Sequence, residues 1–476
     1  MFREIAFYCL LYLLGLSVTV SFRKERCDLL LISLMAFPMG LALWIFGVVY
    51  SLILPIRANL FSISIIIVLL IITGYKYFKI KGETRLKLKE IIQLIMGFLV
   101  FGIAAAVITE HNAVNTSPDS FLYILHGNYI GEYGEFSKVL PGIKNTMIAV
   151  PAVLSASVFL KNDYLGNIFP VLSLTFLGLF GYFLWKSMEP YNIKTIFKTG
   201  LTILGVLMLG TTYNYVYHSF YVGTVLFASV YFLIAFLAMC MYQNEKKMCW
   251  ILISSVSLSV FLLTRRETLL FSSVVLMLYF LQIERKEEGI LYLLPFSMLA
   301  YPWYIFVIHF QRGDLLLSVG QIIIIPSIFM ASITIKETYF KIIQKYLLKS
   351  GLLFISAVTI IGVLLKPGNA WNILRMYGLL IFKTGKWGFV FPAMLVFFII
   401  CLISKNKIEG YIENGVCYYA LFLFFTYLFF YKAFQEAYIK NPDWFFSANR
   451  LLLGGFPLLI MSAVLNLAQL NKNSER

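Results

Sequence analysis

A chain of 476 residues that is 60 % hydrophobic and 17 % aromatic, with 13 % charged residues and a mean hydropathy of +0.84, does not belong to the soluble globular class. Its formal charge of +16 would suit a nucleic acid, but no DNA- or RNA-binding motif accompanies it. In a chain this apolar, basic residues gather in cytoplasmic loops, so the composition predicts an all-α polytopic membrane protein with no nucleic-acid partner.

Apolar runs of about 17–25 residues follow one another, each long enough as a helix to cross about 30 Å of hydrocarbon. About 15 spans are predicted, starting near residues 5, 28, 58, 91, 164, 199, 220, 248, 268, 290, 315, 351, 388, 415 and 451. The opening "MFREIAFYCLLYLLGLSV" has one Arg and no small-residue cleavage site, and reads as a retained span. The six cysteines lie in or beside apolar runs without CxxC spacing and read as packing residues.

The loop "YKYFKIKGETRLKLKE" (Tyr75–Glu90) carries six Lys and Arg and is predicted to be cytoplasmic. Alternation then places "FRKER", "WKSMEPYNIKTIFK", "QNEKK", "ERKEE", "KETYFKIIQKYLLK", "SKNKIE" and the C-terminus beside it, with most of the 39 Lys and Arg. Residues 1–90 read as an appended three-helix unit with this basic linker, and residues 91–476 as the core. No internal repeat is evident, and charges within the spans are almost absent, which argues against an ion-coupled transport path.

The first outer loop, residues 110–145, interrupts this apolar pattern with "NTSPDSFLYILHGNYIGEYGE". Its turn at Ser117–Pro118 predicts a short amphipathic helix with Phe121, Leu122 and Leu125 toward the membrane. Asp119 at the helix start has two readings: an N-cap carboxylate, or a general base whose pKa partial desolvation would raise. The following run Thr146–Leu160 is 15 residues with Pro151, and spanning there would invert every later loop. It reads as re-entrant or interfacial.

All four histidines (His111, His126, His218, His309) fall at outer ends of spans. His111 and His126, with Glu110, Glu132 or Glu135, are candidate metal ligands, although no HxH or HxxxH spacing supports them. His126 and Glu132 are also candidate substrate contacts, and a divalent metal is the one cofactor the loop leaves open. "LLTRRETLL" and "FFSANRLLLGGFPLLI" set Arg265, Arg266 and Arg450 at outer mouths of spans, where a guanidinium fork suits a phosphate. Ordinary snorkelling is the alternative, but it favours cytoplasmic ends. Glu267 would hold the arginine pair. "YPWYIF" (Tyr301–Phe306) and "KTGKWGF" (Lys383–Phe389) would place Trp in an outer aromatic belt.

Four of these features in this order, "PDSFLY", "TRRET", Pro302–Tyr304 and "SANRLLLGGFPLL", resemble the GT-C superfamily of integral-membrane glycosyltransferases over roughly residues 91–476. The chain departs from that family in its three extra N-terminal spans, its lack of an acidic pair in the first loop and its lack of a large soluble outer domain. The resemblance implies a GT-C-like core in the plasma membrane, acting on the extracytoplasmic side. It implies transfer of a sugar from a polyprenyl-phosphate donor to a lipid, glycan or protein acceptor, with inversion. Asp119 would be the base, and Arg265, Arg266 and Arg450 would stabilise the leaving phosphate. The rival readings are an O-antigen-type polymerase or ligase, whose largest outer loop tends to lie later in the chain, and a lipid or oligosaccharide transporter.

Overall fold

The computed structural model describes residues 1–54, 56–77, 86–111, 114–116, 118–135, 147–161, 165–265, 268–282, 286–310, 337–365, 367–403 and 452–474. Their regular structure is helical, with one isolated bridge between Asn115 and Tyr221 and no strand among the described residues. In chain order the helices are α1 (Phe2–Thr19), α2 (Leu29–Ile53), α3 (Leu60–Tyr77), α4 (Leu88–His111), α5 (Pro118–Tyr133), α6 (Ala149–Leu154) and α7 (Ala156–Leu160). There follow α8 (Ile168–Ser187), α9 (Thr195–Gly210), α10 (Tyr213–Ser219), α11 (Thr224–Glu245), α12 (Met248–Leu262), α13 (Thr268–Gln282) and α14 (Lys286–Phe310). The last described are α15 (Glu337–Leu365), α16 (Pro367–Leu379), α17 (Val390–Ile403) and α18 (Leu452–Ser474).

Six stretches among the described residues are long and apolar enough to cross a membrane: Phe2–Glu25, Leu29–Ile53, Leu88–His111, Ile168–Tyr191, Thr224–Glu245 and Leu452–Gln469. α9 and α10 make a seventh if taken as one span bent by 66°. The protein is therefore an all-α membrane protein. The spans expected near residues 315 and 415 lie outside the described residues. Ala149–Leu160 forms a short apolar helical segment; twelve residues rise only about 18 Å, well short of the hydrocarbon thickness.

α11 is the hub. Its apolar window is wholly buried, whereas that of α4 is 11 % buried. A helix apolar on all sides settles in a core, and one whose apolar surface stays outside faces lipid. α2 shares this core: Tyr231 of α11 donates to the Pro38 carbonyl (2.8 Å), and Trp44 Nε1 donates to the carbonyl of Ala152 in α6 (2.9 Å). Residues 1–90, expected as an appended unit, thus contribute to the same buried cluster as α8 and α11–α14.

α1 crosses α2 on glycine. A Cβ at Gly15 would lie 1.7 Å from the Ala36 carbonyl oxygen, and one at Gly40 would lie 1.7 Å from that of Leu11. Small residues let apolar helices approach until backbone meets backbone, the main source of helix affinity where lipid removes the hydrophobic drive.

Charged residues gather at one end of the bundle. Asp28, just before α2, accepts from Tyr182 (2.8 Å) and pairs with Lys186 (3.0 Å), which also reaches Glu189 (3.1 Å). Lys247 pairs with Glu245, and the Arg23–Glu90 pair holds the start of α4. Glu25 accepts the backbone N–H of Cys249 at 2.8 Å. Four of the stretches that alternation assigned to one side, "FRKER", the end of "YKYFKIKGETRLKLKE", "WKSMEPYNIKTIFK" and "QNEKK", meet through these contacts, and "SKNKIE" lies outside the described residues.

Candidate functional site at the opposite end of the bundle

α5 begins with Pro at its first position, where the missing N–H costs nothing. Asp119 is its second residue; the Asp119 side chain lies outside the described residues. The helix turns a large apolar face outward and a mixed face of small, polar and apolar residues inward. Phe121, Leu122 and Leu125 are exposed, whereas Ser120, His126 and Ile130 are buried. Its inner face carries Gly127 and Gly131, a small-xxx-small pair on which α6 and α7 dock. A Cβ at Gly127 would lie 2.8 Å from Leu154, and one at Gly131 would lie 2.5 Å from Val158.

The strand-like segment before α5 is zipped to the segment after α10. Asn115 N–H donates to the Phe220 carbonyl (2.6 Å), Val222 N–H to that of Asn115 (3.3 Å), and Ser120 Oγ to that of Val222 (2.7 Å). α10 carries a column of rings: Tyr213 stacks on Tyr217 (6.0 Å between centroids), Tyr217 on Tyr221 (5.5 Å), and the buried His218 stands edge-on to Tyr221.

The α12–α13 turn, which carries half-buried Arg265, is fixed from three sides. Ala149 N–H, opening α6, donates to the Leu263 carbonyl at 2.9 Å. Tyr304 donates to the carbonyl of Leu262 at 2.7 Å, and Thr268 Oγ1 closes the turn onto the Arg265 carbonyl. Arg266 and Glu267 lie outside the described residues.

A third junction joins the "KTGKWGF" segment to α10 and α18. Asn214 Nδ2 donates to the Gly385 carbonyl (2.7 Å), and Lys386 Nζ sits 4.7 Å from the centre of the Tyr213 ring. Trp387 packs on Phe391 (4.8 Å) and on Phe456 of α18 (5.3 Å). Arg450, just ahead of α18, lies outside the described residues. Trp303 and Trp387 were expected in an interfacial belt; both are buried, at 1 % and 2 % exposure, and this corrects the expectation. The local hydropathy of a Trp-containing segment does not distinguish an interface from a core lined by neighbouring helices.

Not everything in the first loop converges. Glu132 is exposed at the far end of α5, about 20 Å of helix from Asp119, and its main-chain carbonyl accepts from Arg57 (3.3 Å). Glu110 and His111 are exposed at the end of α4, while His126 is buried in α5. Among the described residues no three His, Cys, Asp or Glu side chains are gathered as a metal would require, so His111, His126 and Glu110 are not brought together as ligands.

The sequence gives no sign of the Ser120 and Tyr304 hydrogen bonds or of the Asn115 bridge, whose partners are main-chain groups distant in the chain and leave no sequence pattern. Gly127-xxx-Gly131 was readable as a packing motif. Comparison with protein families, curated proteins and solved structures gives no match.

Proposed function

We propose that this chain is an inverting membrane glycosyltransferase that moves a sugar from a polyprenyl-phosphate carrier to an acceptor hydroxyl of a lipid, glycan or protein. One observation carries the reading. The elements around Asp119, Arg265, Tyr304 and the start of α18 adjoin one another at the end of the bundle away from the basic loops. The positive-inside rule supports reading the basic end as cytoplasmic, and the proposal accordingly has the site act on the extracytoplasmic side of the plasma membrane. The about 15 spans and the GT-C-like layout of residues 91–476 belong to the same proposal.

In this mechanism the Asp119 carboxylate takes the acceptor O–H proton while that oxygen attacks the anomeric carbon. The bond from that carbon to the phosphate oxygen breaks in line, and polyprenyl phosphate leaves with the electron pair. Arg265, Arg266 and Arg450, with Glu267 orienting the pair, stabilise charge growing on the phosphate, where fixed donors act most strongly. A divalent metal would share that task.

The test is transfer of labelled sugar from a polyprenyl-phosphate donor by purified protein. Asp119→Asn should lower turnover about 10²–10⁴-fold with donor binding kept. Full turnover in the variant would return Asp119 to a helix-start role. No turnover by wild type across a donor panel would favour the polymerase or ligase reading.

A further inference from the structure

A groove lies in the wall of the bundle where the N-terminal helices meet α12 and α14. α1, α2, α3, α12 and α14 leave between them a cavity of about 170 Å³. It is far larger than a water requires, and of the size of apolar cavities that stay dry and take up hydrocarbon instead. One wall is the α2 stripe Met39, Leu43, Phe46 and Tyr50, whose 3–4-residue spacing keeps it on a single helix face. That stripe runs about 16 Å, the thickness of one leaflet of a 30 Å hydrocarbon core. The facing wall includes Leu252, Pro295, Met298 and Leu299, and Met298 is 55 % exposed, so the groove is open to its surroundings.

The hydroxyls of Ser21, Tyr50 and Tyr75 that line it are already satisfied by main-chain carbonyls. Tyr50 donates its hydroxyl to the Met298 carbonyl and Tyr75 donates to that of Ser17, leaving ring surface toward the cavity. Water entering here would find few partners, whereas lipid chains surround the bundle at this depth. One rim of the groove is Ser21 and Tyr75. Exposed Lys76 follows Tyr75, and Lys24 lies one turn beyond Ser21, whereas Arg23 is already paired with Glu90. Charge at that rim selects a negative headgroup, each Lys or Arg being worth about 1 kcal/mol against anionic lipid.

We infer that the groove between α2, α3 and α14 holds one acyl chain of an anionic phospholipid, its phosphate on the Lys76 rim. This site is separate from the proposed transfer site and does not depend on it. Gly74 supplies the decisive variant: it lines the groove, and a Cβ there would meet nothing within 4 Å. Gly74→Leu therefore starts its side chain in open space at the groove and improves helix propensity.

The full chain, in phosphatidylcholine nanodiscs doped with a diazirine-tailed phosphatidylglycerol, is irradiated and the adducts are mapped by peptide mass spectrometry. Adducts should concentrate on residues 39–50 and 295–299 and fall about tenfold in Gly74→Leu, a loss of about 1.4 kcal/mol in binding. The thermal midpoint of that variant in detergent should equal or exceed wild type, which excludes misfolding as the cause. Lys76→Gln should reduce labelling by phosphatidylglycerol but not by an equally tagged phosphatidylcholine. Labelling spread evenly over lipid-facing α4, or unchanged in Gly74→Leu, would overturn the site. A polyprenyl phosphate that displaces the tag where untagged phosphatidylglycerol does not would overturn the phospholipid assignment.

Discussion

The thiols of Cys27 and Cys249 meet at 2.8 Å, although 222 residues separate them. Both are buried, one just before α2 and the other in the first turn of α12, where Glu25 also caps the Cys249 N–H. A gentle thiol-crosslinking oxidant applied to the folded protein should join them. Non-reducing peptide mapping would reveal a Cys27–Cys249 link that Cys27→Ser abolishes, while half-buried Cys9 stays unlinked. Closing so long a loop should stabilise by roughly 2–4 kcal/mol, seen as a raised thermal midpoint. If Cys9 is modified and no link between the pair forms, the docking of α12 on the start of α2 is wrong.

The α1–α2 crossing yields a paired prediction on one residue type. At Gly40 an added Cβ would meet the Leu11 carbonyl, so Gly40→Ala must push the helices apart and should cost about 1–3 kcal/mol, with Gly40→Leu costing more. At Gly74 the same Ala substitution meets open space and should gain about 0.5–1 kcal/mol from helix propensity. Thermal midpoints in one detergent decide the matter; equal effects at the two positions would contradict the close crossing.

Much of this could be read from the chain because membrane helices announce themselves by composition. The helix at Pro118, its exposed Phe121–Leu122–Leu125 face and the clustering of basic loops all follow from local patterns of hydropathy, turn chemistry and charge. The packing of that helix was partly legible too, in Gly127 and Gly131. What stayed hidden is non-local. Nothing near Tyr304 shows that its hydroxyl reaches Leu262, and nothing in "KTGKW" tells a buried Trp387 from an interfacial one. The bend between α9 and α10 was likewise hidden, because no proline marks it in the span predicted to start near residue 199.

Acid should loosen the opposite end through Asp28, which lies outside the helices. Burial alone would raise the pKa of its carboxyl, but the hydrogen bonds from Tyr182 and Lys186 outweigh it and hold the value below normal. A carboxylate with a depressed folded pKa contributes stability above its unfolded pKa and loses it as pH falls through the folded one. The thermal midpoint should therefore be flat near neutrality and decline below about pH 4, and Asp28→Asn should blunt that decline. The group is nearly half exposed, so its share is on the order of 0.5–1 kcal/mol. An identical acid limb in Asp28→Asn would assign the loss to other carboxylates.

Tyr304→Phe separates the proposed site from the scaffold that holds it. The hydroxyl fastens the carbonyl of Leu262, three residues before Arg265, and the ring keeps its packing in the variant. Loss of one such bond should cost about 1 kcal/mol of stability. If the turn positions a phosphate-binding arginine, turnover should drop by more than that destabilisation explains, about tenfold or greater, since small misplacements of a charged group weaken transition-state stabilisation strongly. Arg265→Lys should produce the same loss in turnover with stability unchanged, because the ammonium keeps the charge and forfeits the planar fork. A Tyr304→Phe enzyme with wild-type turnover and a lowered midpoint would leave Tyr304 as a packing residue, and would remove the α12–α13 turn from the site.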